Sequence, residues 1–83
     1  MTIETTDRNI VTTLRDSAKN LSIETILDFS SVARLDAAGL HALEDLAVAA
    51  EAKSVKPTLR GANVAVYKVL KLTKLTRRFS FID

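Results

Sequence analysis

The chain has 83 residues, of which 47% are hydrophobic, and this length fits one domain with a modest core. The absence of cysteine excludes disulfides, thiol nucleophiles and thiolate metal sites. No apolar run approaches the roughly 20 residues that span a bilayer, and the N-terminus lacks the features of a signal peptide, so we expect a cytoplasmic protein. The net charge of +2 is unevenly divided, because residues 1–52 hold four basic and nine acidic residues (−5) and residues 53–83 hold eight and one (+7).

The first part of the chain predicts a strand and an amphipathic helix. Residues 3–5 are a strand candidate, and Asp7 is the expected N-cap of the helix that follows and ends near Asn20. Apolar residues recur at helical spacing along one face of this helix, at Ile10, Val11, Leu14, Ala18 and Leu21.

The middle of the chain predicts a central strand and a longer helix. Residues 23–29 form the strand, and residues 37–52 form the helix. The expected buried positions of the helix are Leu40, Leu43, Leu46, Ala47 and Ala50. Its expected outer positions are His41, Glu44, Asp45, Val48 and Glu51.

The last part predicts two short strands around a third helix. Pro57 fits the start of a strand over residues 58–60, because proline cannot donate to an interior ladder. The helix covers residues 64–73, with Val66, Tyr67 and Leu70 facing inward, and the last strand covers residues 79–82. Phe79 and Phe81 are expected either to close the core or to offer an apolar patch to a partner.

The alternation of strands and helices predicts the fold class. Strands that alternate with helices imply crossover connections and parallel pairing. We therefore expect an α/β fold in one domain over residues 1–83, with a small, mostly parallel four-stranded sheet and three or four helices.

The junction between the central strand and the second helix is the most informative stretch. Asp36 directly precedes the helical pattern, where an aspartate accepts hydrogen bonds from unpaired backbone N–H groups. The small residues Ala37, Ala38 and Gly39 follow. They let the helix start pack closely on a strand or let a partner protein approach it.

This junction resembles the STAS domain, the family of bacterial anti-sigma-factor antagonists and of the cytoplasmic domains of sulfate transporters. Three segments carry the resemblance, in order: residues 26–40 (ILDFSSVARLDAAGL), 59–64 (LRGANV) and 69–75 (VLKLTKL). The resemblance implies the STAS fold, which has a further N-terminal strand. We expect that strand to be missing here, so that the exposed sheet edge allows a homodimer.

The resemblance also implies a function in transcription regulation and signalling through protein–protein interaction. The expected contact residues are Asp36, Ala37, Ala38, Gly39, Leu40 and His41. Ala38 stands where phosphoregulated members have a serine or threonine, so no phosphorylation is expected there, while Ser30 and Ser31 stay open as alternative sites. The implied partner is an anti-sigma kinase, or alternatively the ATPase of an ABC-type lipid transporter; a self-associating structural domain is a third reading.

Other functional classes find little support in the residues. His41 is the single histidine, and no nucleophile–base pair, metal cluster or phosphate-binding loop is recognisable, so we expect no enzyme, metal or cofactor. Lys68, Lys71, Lys74, Arg77 and Arg78 form a basic group. We read this group as a solvated face or a contact for an acidic protein, and not as a nucleic-acid site, because aromatic residues that would stack bases are not interleaved with it.

Overall fold

The computed structural model describes residues 2–82. Strands and helices alternate along the chain, as the sequence predicts. The strands are β1 (Thr2–Thr6), β2 (Ile26–Ser31), β3 (Thr58–Arg60) and β4 (Ser80–Ile82), and the helices are α1 (Ile10–Lys19), α2 (Ala37–Ala52) and α3 (Val64–Leu72), with a short 3₁₀ helix at Leu75–Arg77. The predicted α/β class is confirmed.

The four strands form one sheet in the order β1-β2-β3-β4, and each neighbouring pair is parallel. Crossovers between parallel strands are right-handed, so three successive crossovers in the same direction place all three helices on one face of the sheet. The burial pattern agrees with this arrangement. Leu27 and Leu59 are register partners and fully buried, whereas their neighbours Asp28 and Arg60 point to the opposite, solvated face.

The core lies between the sheet and the helical layer. It consists of aliphatic side chains and two phenylalanines, which fits a chain without tryptophan. The fully buried large side chains include Leu14, Leu27, Phe29, Leu43, Leu46, Leu59, Leu70 and Phe79. None of the helices within residues 2–82 combines the length and the apolar character needed to cross a membrane.

The start of β2 and the exposure of Tyr67 differ from the sequence predictions. β2 begins at Ile26 and not at residue 23, because Ser22 and Thr25 form a turn in which the Ser22 N–H donates to Thr25 Oγ1 at 3.0 Å. Ile23 is consequently 81% exposed. Tyr67 was expected to face the core but is 44% exposed, because it lies beside β4, the last strand of the sheet.

Candidate functional site

The segment of residues 36–41 lies at the carboxyl edge of the sheet, where the connection from β2 enters α2. Loops at this edge of parallel sheets commonly bind ligands. Asp36 is the N-cap of α2, as predicted, and its Oδ1 accepts a hydrogen bond from the Gly39 N–H at 2.8 Å. The cap therefore fixes where the helix starts and which residues of its first turn are exposed.

Gly39 allows the start of α2 to pack against the rest of the domain. A Cβ at this position would lie 3.0 Å from Leu35 Cδ1 and 3.4 Å from Ile10 Cδ1 of α1, which leaves little room for a larger side chain. Gly39 is buried, whereas Ala37 and Ala38, the first two residues of α2, are exposed. The glycine thus serves packing, and the two alanines form the accessible surface.

The remaining two predicted contact residues differ in exposure. His41 is exposed on α2, and Leu40 is half-buried against the core. Among the residues that the structure describes, no group of three or more His, Asp or Glu side chains is arranged to hold a metal. The segment therefore offers a small, accessible helix start with one capping carboxylate and one imidazole.

Asp7, which lies before α1, bonds to the loop between β2 and α2. Its two carboxylate oxygens accept hydrogen bonds from the Ala33 N–H at 3.1 and 3.3 Å. The prediction that Asp7 caps α1 is wrong. Thr6 and Asn9 instead bond to each other before the helix, with the Thr6 N–H donating to Asn9 Oδ1 at 2.8 Å.

Asn63 holds the same loop from the side of α3. Its Nδ2 donates to the carbonyl oxygens of Val32 at 3.0 Å and Ala33 at 2.9 Å. Its Oδ1 accepts from the Val66 N–H at 2.9 Å and caps α3. One amide thus ties together two connections about 30 residues apart in sequence, and helical periodicity carries no signal of this tie.

An open cleft of about 300 Å³ lies beside the segment, between the β1–α1 and β2–α2 connections. Its lining is mostly polar and includes Asp7, Arg34 and Asp36. Both carboxylates are already engaged with backbone N–H groups. This cleft suits surface contact with a polar partner better than enclosure of a small molecule.

Ser30 lies near the end of β2 and is engaged with Asp28. The Ser30 hydroxyl and backbone N–H both donate to Asp28 Oδ1, at 2.6 and 2.9 Å. Both bonds lower the pKa of the Asp28 carboxyl below its ordinary value, and the bond from the hydroxyl has the larger effect. Gly61 has a φ of +70° and lies close to Ser30, so that a Cβ on the glycine would be 3.0 Å from Ser30 Cβ. Ser31, the next residue of β2, is exposed.

Comparisons with known proteins agree with this geometry. The family model of the STAS domain matches residues 4–83. A solved structure of a candidate anti-sigma factor antagonist from Thermotoga maritima superposes with a TM-score of 0.73, covering 96% of this chain and 72% of that one at 21% identity. At this identity the likeness shows a shared fold. No match was found among curated proteins.

Proposed function

Since this chain belongs to the STAS domain family, we propose that it is a protein-interaction module of the anti-sigma factor antagonist type. It acts in the bacterial cytoplasm, in signalling that regulates transcription, by binding and not by catalysis. Its contact surface is the 36–41 segment. The observation that carries this proposal is the exposed start of α2, preceded by a loop that two hydrogen-bonded side chains from other connections hold in place at Val32 and Ala33.

A held segment favours binding because less conformational freedom is lost when a partner docks. Asp7 and Asn63 fix the backbone of Val32 and Ala33, and Asp36 fixes the first turn of α2. The exposed Ala37 and Ala38 have no side-chain rotamers to order. A partner surface that fits closely over the first turn would meet backbone and methyl groups in a defined position.

Ala38 defines how the module is regulated. Alanine has no hydroxyl and cannot accept a phosphate, so the segment keeps the surface of an unphosphorylated form. Regulation then comes from the abundance of the chain or from its partner. Ser30 and Ser31 are exposed close by, and phosphate on either would change the charge next to the segment.

Two other functions use the same fold. The segment would serve equally as the docking surface of a small STAS subunit on the ATPase of an ABC-type lipid transporter, since such subunits can also lack the phosphoacceptor serine. Self-association is the other, and it rests on β1, which is the first strand of the sheet and pairs only with β2. An edge strand of this kind is open to pairing with a second copy.

The Ala38→Glu variant tests the proposed surface. Tagged wild-type and variant chains are incubated with lysate of the source cells, and bound proteins are identified by mass spectrometry. We expect the variant to lose the partner while its free energy of unfolding stays within about 1 kcal/mol of the wild type, as for other surface changes. Ala52→Glu is the matched control, because it adds the same charge about 20 Å further along α2.

The identity of the bound protein decides between the readings. A kinase-like anti-sigma factor retained by wild type and Ala52→Glu but not by Ala38→Glu supports the proposal. An ABC ATPase with the same pattern assigns the segment to a transporter. Retention by all three chains contradicts the 36–41 surface, and a mass that rises with concentration in light scattering, without another partner, favours self-association.

A further inference from the structure

A second surface, which includes none of residues 36–41, is a groove between α3 and β4. The groove measures about 270 Å³ and is lined by Ala62, Asn63, Val64, Tyr67, Phe81 and Ile82. The Tyr67 and Phe81 rings meet edge to face, with centroids 5.2 Å apart. Val64 is 81% exposed and Ile82 is 47% exposed, so apolar surface remains open to solvent on both sides of the rings.

The backbone beside this groove belongs to β4, one of the two edge strands of the sheet. The Ser80 N–H donates to the Pro57 carbonyl at 2.9 Å, and the Ile82 carbonyl accepts from the Gly61 N–H at 3.0 Å, so both groups point toward β3. Alternation along a strand directs the intervening N–H and C=O of Phe81 away from β3. β4 has no charged side chain, so charge does not protect this edge against an added strand.

The charged side chains of α3 next to the groove are basic. Residues 53–82 contain eight Lys and Arg and no Asp or Glu. Lys68 and Lys71 are exposed on α3, one helical turn after Val64 and Tyr67, so they lie next to the apolar residues on the helix surface. Two other cations already have acidic neighbours: Arg60 lies beside its register partner Asp28 and interacts with it electrostatically, and Arg78 pairs with Glu51.

From these three observations we propose that the groove binds an acidic segment of a partner protein, in extended conformation, as a strand added to β4. The backbone of the segment pairs with the N–H and C=O of Phe81. One apolar side chain enters the groove against Tyr67 and Phe81, and flanking carboxylates contact Lys68 and Lys71. This surface includes none of residues 36–41, although Asn63 both lines the groove and bonds to the loop before that segment.

The concave shape and the open strand edge favour a peptide over the other anionic partners. A membrane surface binds convex apolar faces of helices that are basic on the other side, whereas here the apolar residues line a groove. Single-stranded nucleic acid would stack its bases on exposed ring faces, and the edge of one ring packs against the other here. An extended peptide uses the groove, the backbone and the cations together.

The test uses a short fluorescein-labelled peptide in which glutamate alternates with valine and isoleucine, titrated with the chain and followed by fluorescence anisotropy. We expect Lys68→Glu/Lys71→Glu to weaken binding about tenfold or more, because two attractive contacts become repulsive. Arg15→Glu/Lys19→Glu is the matched control, since it reverses two exposed charges on α1 and should leave binding unchanged. Tyr67→Ala should weaken binding without altering its salt dependence.

Hydrogen exchange of the Phe81 amide distinguishes strand addition from loose electrostatic contact. We expect the peptide to slow this exchange in the wild type, and a peptide with lysine in place of glutamate to have no effect. Three results would overturn the proposal: equal binding by both charge-reversed variants, binding that leaves the Phe81 amide unprotected, or binding to phosphatidylglycerol vesicles with no binding of the peptide. Circular dichroism confirms that each variant is folded.

Discussion

Asn63 has two roles: it caps α3 and it bonds to the β2–α2 loop. The Asn63→Asp substitution best separates these two roles. The wild-type amide does both, because Oδ1 accepts from the Val66 N–H while Nδ2 donates to two carbonyl oxygens of the β2–α2 loop. Aspartate is as good an N-cap as asparagine, so the bond to Val66 is kept. It cannot donate when ionised, so both bonds to the loop are lost.

The structure sets the size of the effect. A neutral intramolecular hydrogen bond contributes about 0.5–1.5 kcal/mol net, and two are removed at 2.9 and 3.0 Å. The carboxylate would also face the carbonyl oxygens of Val32 and Ala33, which is repulsive, while its charge at the start of α3 is favourable. We expect the free energy of unfolding to fall by about 1–3 kcal/mol.

Urea unfolding followed by far-ultraviolet circular dichroism measures this change, since the chain has no tryptophan. Asn63→Ala is the companion variant, because it removes the cap as well and should cost about 0.5–2 kcal/mol more than Asn63→Asp. Wild-type stability in Asn63→Asp, within about 0.5 kcal/mol, would refute the argument that the amide holds the loop. Equal losses in both variants would show that the cap contributes little.

Two further predictions concern the contact between β2 and the turn after β3. Gly61→Ala should lower the free energy of unfolding by about 1–3 kcal/mol in urea, because φ is +70° and the new Cβ would lie 3.0 Å from Ser30 Cβ; an unchanged midpoint would contradict this close approach. Ser30→Ala should raise the pKa of Asp28 in an NMR titration, because the Ser30 hydroxyl is the largest cause of its lowered value. In the wild type the stabilisation from Asp28 is complete above about pH 4 and is lost as the pH falls through the lower pKa of the folded state. The free energy of unfolding of Ser30→Ala should therefore fall less steeply at acid pH than that of the wild type. The same pH dependence in both proteins would contradict the role of the hydroxyl.

The sequence predicts those elements whose signals are local. The bounds of α2 match the prediction at both ends, because Asp36 provides the cap and the apolar spacing continues for the whole helix. β3 is also predicted correctly, since Pro57 and Gly61 delimit it. The family resemblance is confirmed by the match over residues 4–83, whereas the assignment of contacts to residues 36–41 stays a prediction.

The features that the sequence does not predict depend on contacts between residues that are far apart in the chain. Asp7 is an aspartate shortly before a helix, which predicts an N-cap, yet its carboxylate accepts a bond from the Ala33 N–H, 26 residues away. The spacing of Tyr67 in α3 predicts that its side chain faces the sheet. Whether a strand covers that side chain depends on which strand lies at the edge of the sheet, and here it is β4. Strand order and long-range side-chain bonds are properties of the assembled fold, and periodicity along one element contains neither.

The fold constrains the residues of the 36–41 segment unequally, and this inequality bears on regulation. Asp36 is fixed by the bond to the Gly39 N–H, and position 39 is restricted to a small residue because an added Cβ would lie 3.0 Å from Leu35 Cδ1 and 3.4 Å from Ile10 Cδ1. Ala37 and Ala38 are exposed on the first turn. A change at Ala38 can therefore alter the proposed partner surface at almost no cost in stability, and the alanine there has no hydroxyl that could accept a phosphate. Under the proposed function, the Ala38→Glu variant would restore negative charge where phosphorylation would place it, on a domain whose core it does not touch.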